Sequence, residues 1–76
     1  MSGLKNISTR TFRKFLTEQG LKCQRKKGGH EIWAGTSTLR PVTFQSHIEP
    51  IPEFIIQNGL RNLGLTKENF IDWLKS

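Results

Sequence analysis

Seventy-six residues, a third of them apolar and including five Phe and two Trp, are enough for one small core and argue against a disordered chain. The formal charge is +6 and one-sided: residues 1–40 hold nine cations against Glu18 and Glu31, and residues 41–76 hold three against four carboxylates. Such asymmetry points to a polyanionic partner, with nucleic acid ahead of an anionic membrane or an acidic protein, and the short apolar runs exclude a membrane-spanning helix.

A single domain over 1–76 is expected, with residues 1–6 as a short flexible lead-in; residues 1–8 contain Lys5 but no apolar secretory stretch. Ser8 can cap a helix, with Ile7 and Phe12 at the two staple positions. Phe12, Phe15 and Leu16 then form one stripe, and Arg10, Arg13, Lys14 and Thr17 the opposite, basic face. Gly20 suits a left-handed cap, which ends the helix near Gln19.

From Leu21 the period becomes two, with Leu21 and Cys23 expected inward and Lys22 and Gln24 outward. Cys23 therefore reads as a buried, inert thiol. It cannot form an internal disulfide, which favours a reducing, cytoplasmic setting. Arg25-Lys26-Lys27 leads into Gly28-Gly29, the composition of a tight hairpin turn. A second strand over 30–34 places His30, Ile32 and Ala34 on one face, expected to be the helix-covered one, and Glu31 and Trp33 on the other. Trp33 is then a stacking platform for a base or an anchor for a protein partner, unless a helix or loop covers it. Residues 35–38 read as a polar loop, and a third strand runs from about 40 to 45 with Val42 and Phe44 inward.

Pro50-Ile51-Pro52 breaks regular structure and opens a helix to about Leu63, with Ile56, Leu60 and Leu63 as its core stripe. Gly59 on that stripe costs about 1 kcal/mol of helix propensity against Ala, which implies a close approach by a neighbouring element. Phe54 lies off the stripe and is expected to pack on the C-terminal helix. That last helix opens at Leu65-Thr66 and carries Phe70, Trp73 and Leu74 on its apolar side. The fold class is α+β: an α-β-β-β-α order, a three-stranded antiparallel sheet with helices on one face, and a short extra helix.

Two residues have the right chemistry for proton transfer near neutral pH, His30 and His47. RNA cleavage needs a group to take the 2′-hydroxyl proton, a group to protonate the leaving oxygen, and cations to offset the developing charge. Lys22, Arg25, Lys26 and Lys27, with the Arg10, Arg13 and Lys14 face, supply cations, while Gly28 and Gly29 allow close backbone approach to a phosphate. On residues alone, a histidine after a basic turn is more often a solvated strand-start residue than a catalyst. No metal site is expected, since His30, His47 and Cys23 lack short ligand spacings, and no phosphate-binding loop or carboxylate pair is present.

The run Arg25-Lys26-Lys27-Gly28-Gly29-His30, placed after a short helix closing on Gly20-Leu21 and before a Leu-rich helix closing on Leu63-Gly64-Leu65, resembles the HicA-type toxins of toxin–antitoxin pairs. The resemblance implies a fold like a double-stranded-RNA-binding domain and metal-independent, cofactor-free endoribonuclease activity on mRNA. It also implies one catalytic histidine, carried to His30, and inhibition by a HicB-type antitoxin, the toxin being a monomer when free and a hetero-oligomer with that partner. His47 is the candidate accessory group. Two positions depart from the pattern: Gly29, where the family usually has Ser or Thr, and Gly59, where it has a larger apolar residue. The rival readings are a non-catalytic RNA-binding module of the same fold and an interaction domain for an acidic protein.

Overall fold

Ser8 accepts a hydrogen bond from the Thr11 amide and starts helix α1, Thr9–Glu18, which Gln19 closes before Gly20 turns the chain at φ +89°. The computed structural model describes residues 4–35 and 40–76; the expected loop over 36–38 and the start of the lead-in, 1–3, lie outside them. Strands β1, Lys22–Lys27, and β2, His30–Ala34, form a hairpin, and β3, Val42–Gln45, pairs antiparallel with β2, so the sheet order is β1-β2-β3. Helix α2, Glu53–Asn62, follows Pro52 at its N-cap position, and α3, Lys67–Lys75, begins at Thr66. Thr66 and Asn69 form a reciprocal capping box, the side-chain oxygen of each accepting from the other's amide. The α-β-β-β-α order with a further C-terminal helix is the one expected.

The helices cover one face of the sheet. An aromatic cluster joins them: Phe12 meets Phe44 edge-on at 5.3 Å between ring centroids, Phe15 meets Phe70 at 4.7 Å, and Trp73 closes on Phe15 at 5.1 Å. Ile56, Leu60 and Leu63 join this core as their spacing predicts. Gly59 marks the close approach: a β-carbon there would sit 3.1 Å from Val42 Cγ1 and 3.3 Å from Phe12 Cζ. Within the expected lead-in Leu4 is fully buried, and just after it the Ile7 carbonyl accepts from the Ile51 amide. Leu74, expected on the apolar side of α3, is exposed.

The largest correction is the phase of β2. Glu31 and Trp33 point into the core and His30 lies on the exposed face, the reverse of the expected parity. Burying a carboxylate is costly unless it is paired. Glu31, 0% exposed, is paired: Arg13 Nε donates to both of its oxygens at 3.1 Å, Arg13 Nη2 forms the salt bridge to Oε2, and Trp33 Nε1 donates to Oε1 at 3.0 Å. Trp33 is thus a core residue and not a surface platform. Cys23 is corrected too: the whole of β1 is exposed, with a register shift between Cys23 and Arg25, so its thiol is open to solvent.

Hydrogen bonding to Arg13 is the main reason the Glu31 carboxyl is held below its ordinary range, and Glu49 is lowered by the backbone and then the side chain of Thr9. Both groups add stability that is complete above the unfolded carboxyl range and is lost as pH falls through the folded value. Urea unfolding should therefore show a plateau near neutrality and a decline below about pH 5, shallower in Glu31→Gln. Arg13→Ala leaves the buried carboxylate without its counter-ion and should cost about 3 kcal/mol at neutral pH.

Candidate nucleic-acid interface

Gly28 and Gly29, with φ of +58° and +84°, make a two-residue turn of the kind that matches the twist of a hairpin. The turn sets Lys27 directly across from His30, and Arg25 across from Ile32; on the other side of β2, His30 faces Gln45 and Ile32 faces Thr43. Residues directly opposite one another in a sheet share a face. The open face therefore carries Arg25, Lys27, His30, Thr43 and Gln45, with Lys22 at its far end opposite Ala34. Lys26 belongs to the other face, opposite Glu31, whose charge it helps to offset.

The candidate phosphate-binding residues thus fall into separate groups. Lys22, Arg25 and Lys27 stand with His30. Arg10 and Lys14 are exposed on the helical side of the molecule, beside Trp73 and Leu74 of α3. Arg13 is committed to Glu31, and its own pKa is raised chiefly by that hydrogen bond, so it is a structural cation. Lys22, Arg25 and Lys27 thus stand on the open face, whereas Arg10 and Lys14 are carried by a helix packed on the opposite face, the side on which Lys26 also lies.

His47 comes to the site by a route that sequence spacing does not reveal. The chain after β3 folds back over the hairpin turn, where the Ser46 amide and hydroxyl both donate to the Gly29 carbonyl, at 2.7 and 2.9 Å. The His47 ring then lies on Gly29: a β-carbon at residue 29 would be 2.6 Å from its Nδ1 and 3.0 Å from its Cε1. The two histidines consequently belong to one corner of the sheet, His30 beginning β2 and His47 resting on the residue before it. Gly29 is required both by its φ and by the ring that occupies the space of a side chain.

An apolar cleft of about 350 Å³ opens beside His30, between the free edge of β3 and the start of α2. Its lining includes Phe54, which is 63% exposed and does not pack on the C-terminal helix as its position off the stripe suggests. Thr43, Gln45 and Ser46 are the site residues that sequence reasoning missed; the register of β3, which puts Gln45 opposite His30 and Thr43 opposite Ile32, could have drawn in the first two, and nothing local signals Ser46. Among the described residues no cluster of three or more His, Cys, Asp or Glu could hold a metal ion, and no helix is long and apolar enough to cross a membrane. Comparison with protein-family models, curated proteins and solved structures gives no match for this chain.

The two glycines should answer differently to substitution. Gly28→Asn meets nothing within 4 Å of its new β-carbon and takes a conformation Asn tolerates, so stability should change by less than about 0.5 kcal/mol. Gly29→Ser should lose about 1–3 kcal/mol in denaturant unfolding and displace His47, seen as a shift of its ring proton resonances.

Proposed function

We propose that the chain is a metal-independent endoribonuclease of the HicA toxin type, acting on mRNA in the cytoplasm and held in check by a HicB-type antitoxin. The observation that carries the reading is the cross-strand pair Lys27 and His30 on an uncovered sheet face, with Arg25 in the same face and the His47 ring on Gly29 at the same corner. Cations beside an imidazole serve phosphodiester cleavage. Lys27 and Arg25 hold the phosphate and offset the charge that builds on its oxygens. One histidine takes the proton from the 2′-hydroxyl as that oxygen attacks phosphorus, and a protonated group returns a proton to the departing 5′ oxygen. The products are a 2′,3′-cyclic phosphate and a 5′-hydroxyl, with no net consumption of protons. His30 is assigned the first role, on the open face, and His47 is the candidate for the second.

The outward phase of β2 leaves the His30 imidazole accessible to substrate, and Lys27 directly across from it is what sets it apart from a merely solvated strand-start residue. An antitoxin that covers the basic face blocks the site and also stabilises a small fold through linkage.

Purified protein incubated with single-stranded RNA in excess chelator should cut it and leave cyclic-phosphate ends. His30→Ala should lower the rate about a hundred-fold or more while keeping the far-ultraviolet circular dichroism of the parent. A His30→Ala protein that cuts at the parental rate overturns the assignment, and a parent that binds RNA without cutting it reduces the chain to an RNA-binding module.

A further inference from the structure

The cleft beside His30 is the one sizeable apolar feature at this corner that the cleavage chemistry does not use. Its volume of about 350 Å³ lies at the small end of the range for ligand sites, roughly 300–1,000 Å³. The floor is apolar, with Ile51 and Ile55, while Thr43 and Gln45 bring a hydroxyl and an amide to its sheet side. Phe54 projects from the first turn of α2 and leaves most of its ring in solvent, and with the exposed Ile48 it forms an apolar patch on the cleft rather than an isolated surface side chain.

We infer that this cleft is a nucleobase subsite, in which Phe54 stacks on one base of a single-stranded RNA and the Gln45 amide and Thr43 hydroxyl meet its polar edge. The inference rests on the RNA reading proposed above and adds to it the part of the substrate that is selected. Two observations choose a base over an apolar protein side chain. His30, Thr43 and Gln45 of the lining share their sheet face with Lys27 and Arg25, which stand on β1 beyond β2, so a strand whose base enters the cleft can lay its phosphates toward those cations. His30 itself forms part of the lining, so a nucleotide whose base enters the cleft has its ribose at the imidazole. Base binding then sets which 2′-hydroxyl is presented to His30, and Phe54, Thr43 and Gln45 become positioning residues that govern where along a strand the cut falls. Stacking of this kind is tolerant of base identity, whereas the amide and hydroxyl supply a preference.

The test uses the full chain and a short single-stranded 2′-O-methyl oligoribonucleotide, which cannot be cleaved because the attacking hydroxyl is blocked. A second probe is a backbone of the same length without bases. Phe54→Ala, at an exposed position, should fold as the parent does and weaken binding of the base-bearing probe about ten-fold, while its affinity for the abasic probe is unchanged. Lys27→Ala should weaken both probes equally. A Phe54→Ala protein that binds the base-bearing probe as tightly as the parent, while Lys27→Ala binds it less well, overturns the subsite and leaves the RNA reading intact; the cleft would then belong to a protein strand or side chain. A parent that binds neither probe at low salt overturns both.

Discussion

The ion pair between Arg13 and the buried Glu31 decides which way the central strand faces, and the rest of the arrangement depends on that choice. A strand of five residues, His30–Ala34, has two possible phases, and the side chains on offer are His, Ile and Ala against Glu and Trp. Burial of Trp33 removes more apolar surface from water than burial of Ile32, but it drags Glu31 into the core with it. The guanidinium of Arg13, reaching from the first helix, and the indole N–H of Trp33 saturate that carboxylate, so the larger hydrophobic gain is available at an acceptable electrostatic cost. The consequence for function is immediate: His30 turns outward and shares a face with Lys27 and Arg25. A structural pair in the interior thereby sets an imidazole among cations on the surface.

The site is equally a product of how far the sheet extends past its helices. No residue of β1 is covered, so the basic strand end stands clear of the core with both faces wet. What keeps such a hairpin in register is local: a glycine turn with two positive φ values, and the Ser46 amide and hydroxyl converging on the Gly29 carbonyl. These contacts tie the hairpin tip to the end of β3 and carry His47 onto it. Residue 29 is therefore a position where a side chain has no room, because an imidazole fills the space. Ser46 brings a hydroxyl to the same turn from a different part of the chain.

Much of this was legible from residue order. The caps at Ser8 and Thr66, the turn at Gly28-Gly29 and the close approach at Gly59 each rest on a local rule, and each holds. What failed depended on partners distant in sequence. Nothing in His30-Glu31-Ile32-Trp33-Ala34 says that a cation eighteen residues earlier waits for Glu31. Alternation put Cys23 inward, but alternation presumes a covering layer, and the helices stop short of β1. The cations of α1 and of the strand end were grouped as one supply, but Lys22, Arg25 and Lys27 face away from the helices and Arg13 is committed to Glu31. Phe54 was assigned to packing from its place off the α2 stripe, but the C-terminal helix does not cover it and its ring stays exposed beside the cleft.

The central claim is that the uncovered sheet face, and not the helical side, receives the nucleic acid. Titrating the isotopically labelled protein with a non-cleavable single-stranded RNA and following backbone amide shifts tests it directly. The account predicts changes concentrated at Arg25, Lys27, His30, Ile32, Thr43 and Gln45, with Arg10 and Lys14 unmoved. Changes centred on Arg10, Lys14 and the α3 residues beside them, with the sheet face silent, would contradict it.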